Sequence, residues 1–235
     1  MAQMPHPAQT RHPARRDRRA CLLRVGLLAL PATGSYIGSA GAAGYPITVA
    51  AMREAQAGEM GVYYRYTEFS RRARQDDYRG VAYLFAAFAA AEFVHAANFG
   101  RIQTGLGVEV APIAKAAFKV GSTRENLMAA AEGEIRSVDE YYPKLLEQIR
   151  PEGHADAMTA VGYAWETEQR HRDKIRQVQR WSPSFFEQVA KVIDQKTGQY
   201  HVCQLCGCTL NQVPATTCPV CKNLPRHYRL IEPPA

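Results

Sequence analysis

Two copies of one short pattern place carboxylates and imidazoles at helical spacing. Each copy is a Glu-x-x-His pair, formed by Glu92 with His95 and by Glu168 with His171. Residues three apart lie on one face of an α-helix, so each pair presents two metal-binding groups side by side. A single pair of this kind is more often a surface carboxylate beside a core histidine whose hydrogen bonds are satisfied. The spacing of the surrounding residues therefore has to show whether these pairs bind metal.

A lone glutamate precedes each pair at nearly the same distance. There are 32 residues between Glu59 and Glu92, and 33 between Glu134 and Glu168. Each half of the pattern therefore predicts one helical hairpin that supplies one lone Glu and one Glu-x-x-His pair. In a four-helix bundle all six side chains can point inward, which is the arrangement of ferritin-like di-iron carboxylate proteins.

The residue types explain which metal this site would hold. Four carboxylates neutralise most of the charge of two divalent cations, two of them can bridge the metals, and carboxylate with imidazole suits iron. Without metal, the buried carboxylates would repel one another and their pKa values would rise. The spacing therefore predicts a catalytic non-haem di-iron centre with six ligands: Glu59, Glu92, His95, Glu134, Glu168 and His171.

Two tyrosines follow the lone glutamates on the same helical faces. Tyr66 is seven residues after Glu59, and Tyr142 is eight residues after Glu134. We expect each phenol to donate a hydrogen bond to a ligand carboxylate or to a bound oxygen species, and we count both with the catalytic residues. The alternative is packing on the inner face of the bundle with a solvated hydroxyl.

Four cysteines near the C-terminus form a second candidate metal site. The knuckles Cys203-Gln-Leu-Cys206-Gly and Cys218-Pro-Val-Cys221 are separated by 11 residues. Four thiolates from two tight turns make a tetrahedral site for iron, with zinc as the alternative because the ligands do not separate the two metals. Two disulfides are a further alternative, disfavoured by the Gly and Pro of the knuckles. Cys208 is left over as a small inert side chain.

Long helices must position the carboxylates. Glycines and prolines divide the chain into four predicted helices, at about 47–75, 77–104, 122–149 and 153–180. Asp76 and Ser122 are the expected N-caps, and Glu125 completes a capping box with Ser122. Short turns and one longer connection at 105–121 predict an all-α fold, a ferritin-like four-helix bundle with a crossover.

The composition divides the chain into four parts. Residues 1–42 are predicted to be an export signal and residues 43–182 the di-iron bundle. Residues 183–198 are predicted to form a short helix, at 183–195, and a linker. Residues 199–235 form a small cysteine-rich domain, too short to bury a core without a metal or disulfides.

The N-terminal segment resembles a twin-arginine signal. Arg18-Arg19 precedes a modest apolar run at 25–30, and Ala40-Gly41-Ala42 fits a small-x-small cleavage site. Cys21 stands at the usual Phe position, and Arg24 interrupts the apolar stretch. We expect a periplasmic protein, exported folded so that iron enters while the thiols are reduced. The alternatives are a cytoplasmic protein with a disordered extension, a misplaced start codon, or an uncleaved membrane anchor.

The net charge of +7 belongs mostly to the N-terminal segment. Residues 1–42 hold six arginines against one aspartate, whereas the rest of the chain holds 23 basic and 21 acidic residues. A nearly neutral body argues against a nucleic-acid partner, and so against a zinc-ribbon binding scaffold. Outside the N-terminal segment, no window is apolar and uncharged over the ~18 residues of a membrane span, so no stable membrane insertion is expected after processing.

The two sites together resemble the rubrerythrin family, which joins a ferritin-like di-iron bundle to a rubredoxin-like domain. The resemblance covers about residues 47–235 and is carried by AQAGEMGVYYRYTEF, AAEFVHAANF, NLMAAAEGEIRSVDEYYPKL, ETEQRHRDK and YHVCQLCGCTLNQVPATTCPVCKNLPRHYRLIE. It implies a peroxidase that reduces hydrogen peroxide to water, with electrons from an unidentified donor passing through an Fe(Cys)4 centre, typically across a head-to-tail homodimer. It places a mononuclear iron on Cys203, Cys206, Cys218 and Cys221, and the di-iron centre on the six ligands given above.

Three positions depart from the pattern of that family. Ser137 stands where rubrerythrins carry a further glutamate that exchanges with a histidine as one iron changes oxidation state. A serine cannot act as that anionic ligand, which keeps open a ferroxidase or dioxygen-reducing protein. Cys208 replaces a residue that is commonly aromatic, and Lys222 replaces a common glycine. We expect both to tune the potential or the exposure of the cysteine-bound iron.

Overall fold

The computed structural model describes residues 38–179 and 198–235 of the chain. In chain order the helices are α1 (Gly38–Gly44), α2 (Pro46–Gln75), α3 (Arg79–Gly105), α4 (Thr123–Arg136), α5 (Tyr142–Ile149) and α6 (Ala155–Gln179). A π-helix (Ser137–Tyr141) joins α4 to α5, and a 3-10 turn (Arg150–Glu152) follows α5. The predicted all-α four-helix bundle is confirmed, with α4, the π-helix and α5 together forming its third helix.

Two predicted segments lie mainly or wholly outside the described residues. The export signal is described only in its last five residues, which belong to α1 and include the predicted cleavage site at 40–42. The short helix predicted at 183–195 is not described. Both remain predictions.

Helix α3 is apolar on almost every side because it is covered on almost every side. Phe85, Phe88 and Phe99 are fully buried, and the helix packs against α2, α6 and the C-terminal sheet. Among the described residues it is the one helix long and apolar enough to cross a membrane, with a mean hydropathy of 1.5 over its most apolar 18 residues. Because 78% of that window is buried inside the protein, its composition is that of a core helix.

The third helix begins as predicted, whereas Asp76 does not have its predicted role. Ser122 and Glu125 form a capping box at the start of α4. Asp76 ends α2, and its carboxylate accepts hydrogen bonds from the backbone N–H of Thr123 at 3.1 Å and from the Thr123 hydroxyl at 2.7 Å. Asp77 adopts a left-handed φ of 62°, which turns the chain so that the N-cap position of α3 falls on Tyr78. Asp76 therefore stabilises the start of α4 from a distance.

The π-helix inserts one residue into the third helix. The backbone N–H of Tyr142 donates to the carbonyl of Ser137, five residues back, and the indole N–H of Trp165 donates to the carbonyl of Val138 at 2.9 Å. A π-turn holds one residue more than an α-turn. Tyr142, eight residues after Glu134, therefore faces inward as Tyr66 does seven residues after Glu59.

Trp165→Phe is expected to loosen this turn, because the buried Val138 carbonyl loses its indole partner. An unsatisfied buried carbonyl costs about 1–3 kcal/mol, so the midpoint of urea unfolding of the metal-free protein should fall accordingly. Glu166→Gln, on the same helix, breaks only a surface ion pair of 3.7 Å with Arg170 and should change stability by less than about 1 kcal/mol. Equal midpoints for the two variants would show that the indole does not support the turn.

The C-terminal domain is a three-stranded antiparallel sheet that packs on the bundle. Its strands are β1 (Tyr200–Cys203), β2 (Thr209–Leu210) and β3 (Tyr228–Ile231), in the order β2-β1-β3, and a 3-10 turn (Pro225–His227) precedes β3. The hydroxyl of Tyr83 on α3 donates to the carbonyl of Ile231 at 2.5 Å and accepts the backbone N–H of Tyr200 at 3.1 Å. One bundle side chain therefore holds both β1 and β3.

Candidate metal centres

The six predicted carboxylate and imidazole ligands meet in the interior of the bundle. Their ligand atoms fall into two groups, each within 4.8 Å: Glu59, Glu92, His95 and Glu168 in the first, and Glu92, Glu134, Glu168 and His171 in the second. Glu92 and Glu168 belong to both groups, so they occupy the positions of bridging carboxylates. None of the six residues is more than 7% exposed.

The two histidines are oriented alike. Nδ1 of His95 lies 3.1 Å from one oxygen of Glu92 and 3.1 Å from one of Glu168, and Nδ1 of His171 lies 3.5 Å from the remaining oxygen of each. Both Nε2 atoms point away from the carboxylates, toward the C-terminal domain. Each imidazole thus offers Nδ1 to a metal and keeps Nε2–H for an outer partner, which fixes its orientation.

Hydrogen bonds within the cluster leave several of its polar atoms without partners, and metal ions would satisfy them. Among the described residues, Glu92 Oε1, Glu134 Oε2 and His171 Nδ1 are buried without a hydrogen-bond partner. Burying polar groups in this way is costly unless a ligand compensates them. Four carboxylates and two imidazoles in two overlapping groups fit a pair of divalent iron ions.

Crowding changes the proton affinity of the site. Burial and repulsion from Glu92 raise the pKa of Glu59 well above its usual value, and burial and repulsion from Glu168 do the same for Glu134. Burial by itself lowers the pKa of His95, but hydrogen bonds to Glu168 and Glu92 raise it well above normal. Burial by itself raises the pKa of Glu168, but the adjacent Glu134 carboxyl group and the nearby His171 lower it well below its usual value. The cluster without metal therefore holds extra protons around the ionised carboxylate of Glu168.

The metal-free protein should lose stability as the pH rises from about 5 to 8. In this range the folded cluster binds more protons than the unfolded chain, because Glu59, Glu134 and His95 have raised pKa values, so the free energy of unfolding falls with pH. Below about pH 4.5 the lowered pKa of Glu168 has the opposite effect, and the free energy of unfolding falls as the pH falls. The metal-loaded protein should respond oppositely, because protons compete with the metals for the same atoms. Thermal unfolding of both forms across pH measures this, and parallel curves would contradict the proton-sharing cluster.

The two tyrosines bond across the bundle. The hydroxyl of Tyr66 donates to Glu134 at 2.5 Å, and that of Tyr142 donates to Glu59. Each phenol thus reaches the lone glutamate of the other hairpin rather than the one that precedes it on its own helix. Both side chains are almost fully buried, so each hydroxyl hydrogen lies next to a carboxylate in a water-poor interior. Burial and the nearby carboxylates raise the pKa of both phenols well above the usual value, so the hydroxyls stay protonated.

The four knuckle cysteines form the second site. Their Sγ atoms lie within 4.8 Å of one another, with 3.8 Å between Cys203 and Cys221 and 3.6 Å between Cys206 and Cys218. A tetrahedron with metal–sulfur bonds of about 2.3 Å has sulfur–sulfur edges of about 3.8 Å. All five described cysteines are free thiols, so the disulfide alternative is not what the structure shows.

The two sites touch through hydrogen bonds. Nε2 of His95 lies 3.2 Å from the carbonyl oxygen of Cys206, so the imidazole N–H donates to the backbone of a cysteine ligand. The hydroxyl of Thr167, next to Glu168, donates to the same carbonyl at 3.0 Å, and the amide of Asn98 donates to the Leu205 carbonyl at 2.9 Å. The knuckle is therefore held directly against a ligand of the carboxylate site.

Gly207 permits this close approach. It has a φ of 79°, a conformation that disfavours side chains, and a Cβ at this position would overlap Nε2 of His95. It would also lie 3.2 Å from the carbonyl oxygen of Ala91. The glycine of the first knuckle is therefore needed both for its turn and for its contact with α3.

A family model described as Rubrerythrin matches residues 51–179. The chain belongs to the rubrerythrin family. A putative rubrerythrin of Methanocaldococcus jannaschii is 30% identical over 199 residues, which cover 77% of this chain and 90% of the relative. Nigerythrin of Nitratidesulfovibrio vulgaris is 28% identical over 184 residues, which cover 74% of this chain and 81% of the relative.

Solved structures of nigerythrin have the same fold. The fully reduced, all-ferrous state has a TM-score of 0.64 at 26% identity and covers 78% of this chain and 86% of its own. The mixed-valence state has a TM-score of 0.65 at 24% identity. The predicted ferritin-like bundle with a rubredoxin-like domain is thereby confirmed, and the family is that of di-iron oxidoreductases of oxidative-stress defence. Both metal clusters fit the iron centres of a rubrerythrin.

The three departures from the rubrerythrin pattern have definite places. Ser137 is the first residue of the π-helix and is half-buried, and its neighbours Asp139 and Glu140 are exposed, so neither replaces the missing carboxylate. Lys222 takes a left-handed φ of 59°, where glycine would be unstrained. Cys208 is fully buried beside the knuckles. Burial raises the pKa of its thiol to about 12.

Several residues that shape the site were not identified from the sequence. They hold or shape the first knuckle, bond the outward nitrogen of His171, or support the π-turn: Asn98, Thr167, Gly207, Thr209 and Trp165. Asn98 follows His95 by three residues and Thr167 adjoins Glu168, so buried polar residues beside predicted ligands were the available signal. Trp165 and Thr209 carry no such signal, because their partners lie on other elements.

Proposed function

We propose that this rubrerythrin-family protein reduces hydrogen peroxide to water at a di-iron centre in the bundle, using electrons delivered through an iron held by the four cysteines. The reaction is H2O2 + 2 e⁻ + 2 H⁺ → 2 H2O. When bound, the two bundle irons would supply the pair of electrons that breaks the O–O bond. The metals proposed are two irons on the six bundle ligands and one on Cys203, Cys206, Cys218 and Cys221, a site that zinc would also fit.

The contact between His95 and the Cys206 carbonyl carries this proposal. It joins a ligand of the carboxylate site to a ligand of the cysteine site through one hydrogen bond of 3.2 Å. A ferroxidase takes its electrons from its ferrous substrate and has no need of a second redox site against its metals. A reductase must be supplied with electrons in every turnover, and this contact is suited to supply them.

Different residues of the chain are proposed to bind the metals, to hold hydrogens beside them and to position the knuckle. Glu92 and Glu168 belong to both ligand groups, so we propose that each would bind both metals. Glu59 and His95 would complete the ligand set of one metal. Glu134 and His171 would complete that of the other. Tyr66 and Tyr142 are proposed to hold hydrogens at the two lone glutamates, from which protons can be delivered to oxygen. Thr167 and Asn98 keep the knuckle in place.

Electron count favours peroxide over dioxygen. Peroxide accepts two electrons on its way to water, which is the number two ferrous ions can supply, whereas dioxygen needs four electrons to reach water. The test is anaerobic stopped-flow mixing of the fully reduced, iron-loaded protein with either oxidant. We expect peroxide to reoxidise the bundle irons faster than dioxygen does, and reoxidation by dioxygen but not by peroxide would refute the proposal.

Ser137 supports a second candidate, a ferroxidase or dioxygen-reducing protein. The half-buried serine leaves the bundle site with six nearly symmetric ligands and no exchangeable carboxylate at this position. This candidate predicts faster turnover with dioxygen, or iron uptake when ferrous ion is added in air. The absence of both would exclude it.

The proposal also covers the path of electrons to the bundle and the compartment in which the protein acts. In this structure the knuckle domain contacts the bundle of its own chain, so electron delivery needs no second copy, and the head-to-tail homodimer remains a prediction. We also propose export by the twin-arginine route, because reduced cysteines can be loaded with iron before a folded protein is exported. Cell fractionation that finds the intact, processed protein only in the cytosol would refute export.

A further inference from the structure

Tyr228 places a hydroxyl on one cysteine of the knuckle site. It begins β3, where its backbone pairs in register with Cys203, and its ring packs against the cysteine cluster. Its hydroxyl oxygen lies 3.1 Å from the Sγ atom of Cys218. A cysteine that ligates a metal has lost its hydrogen, so the tyrosine must be the donor in this bond.

The sulfur side of this hydrogen bond is buried, whereas Tyr228 itself is half-buried. Cys218 and Cys208 are both fully buried, and the Cys208 sulfur also lies against the Tyr228 hydroxyl. Cys208 is outside the group of four sulfurs that fit one metal, so it closes the space beside the hydroxyl without competing for the iron. A hydrogen bond to a charged sulfur is stronger where water is excluded.

The donors to the other cysteines are mostly backbone groups. Backbone N–H groups of Leu205 and Cys206 donate to Cys203, and that of Cys208 donates to Cys206. Cys221 accepts from both the backbone and the side chain of Asn223. Backbone donors come with the knuckle fold and change little from one sequence to another. A side-chain hydroxyl is instead a property of one residue, and it can be removed without changing the turn.

We propose that Tyr228 is a positioning residue that raises the reduction potential of the cysteine-bound iron through its hydrogen bond to Cys218. This inference rests on the part of the proposed function that places iron in the site. The reduced iron–sulfur unit carries one more negative charge than the oxidised unit. A donor on sulfur stabilises the more negative state, and hydrogen bonds to sulfur are among the factors that set such potentials.

Tyr228→Phe tests the inference in the full chain loaded with iron. A spectroelectrochemical titration that follows the ferric-thiolate absorption gives the midpoint potential of the cysteine site. We expect the variant to lie lower, with the ratio of oxidised to reduced iron at a fixed potential raised up to about tenfold, equivalent to ~59 mV for one electron. The absorption band should also shift in wavelength, because one sulfur loses its hydrogen bond.

Tyr200→Phe is the matched control. Tyr200 lies in β1 of the same sheet, is buried, and has its ring against Tyr83 rather than against a knuckle sulfur. Its substitution tests general loosening of the domain and should leave the potential and the absorption band unchanged. Iron content per chain, measured for all three proteins, shows whether each cysteine site is filled.

The outcomes separate this inference from the proposed reaction. An unchanged potential in Tyr228→Phe with a full iron site overturns the inference, and so does an equal shift in Tyr200→Phe. A wild-type chain that binds only zinc at the cysteines overturns both the inference and the proposed electron route. The titration uses no peroxide, so a protein that proves to react only with dioxygen leaves this result standing.

Discussion

Glu92→Gln is expected to remove both metal ions from the bundle, whereas Glu59→Gln should weaken mainly one. Glu92 is shared by the two ligand groups, whereas Glu59 belongs to one of them. Mutation of a residue that only supports a metal ligand typically lowers metal affinity or activity by about 10–100-fold. Loss of a shared ligand should therefore lower the rate of peroxide reduction by about 100-fold or more. Metal analysis per chain with the peroxidase rate measures both effects.

Stability distinguishes loss of metal from loss of fold in these variants. Glutamine keeps the shape of glutamate and removes one repelling carboxylate, so the metal-free Glu92→Gln protein should unfold no earlier than the metal-free wild type. Glu54→Gln, at an exposed position of α2, should keep full metal content and activity. A Glu92→Gln protein that retains two bundle metals would contradict the bridging position of Glu92.

Gly207→Ala is expected to separate the two redox sites while leaving each site with its ligands. A methyl group there overlaps the imidazole of His95 and is strained at a φ of 79°. The first knuckle should therefore move off α3 and break the hydrogen bond between His95 and the Cys206 carbonyl. Displacements of about 1 Å can cost up to about 100-fold in rate, and we expect the step that oxidises the cysteine iron to slow by at least about tenfold.

Single-turnover mixing with peroxide measures that step in Gly207→Ala. The fully reduced protein is mixed with a limiting amount of peroxide, and the ferric-thiolate absorption reports when the cysteine iron gives up its electron. Gly198→Ala is the control, because a Cβ at Gly198 has no atom within 4 Å. Equal rates in the two variants, with metal content intact, would show that electron transfer from the cysteine iron does not depend on this contact.

The ligand set of the bundle was predictable because it depends on local geometry. Spacing of three residues on a helix, repeated in two hairpins, is sufficient to place Glu92 with His95 and Glu168 with His171. The capping box at Ser122 and the knuckles around the cysteines are local in the same sense. The π-helix was not predicted, and one bond that supports it, from Trp165 to the Val138 carbonyl, comes from another helix.

The sequence by itself determined the six candidate bundle ligands, the four clustered cysteines and the order of the helices, because each follows from spacing along one or two elements. Only the tertiary structure decided that Glu92 and Glu168 are shared, that Tyr66 and Tyr142 bond across the bundle, and that the knuckle rests on His95. These features depend on how helices and sheet pack together. The distance between atoms far apart in sequence is set by that packing, which no periodicity along the chain records.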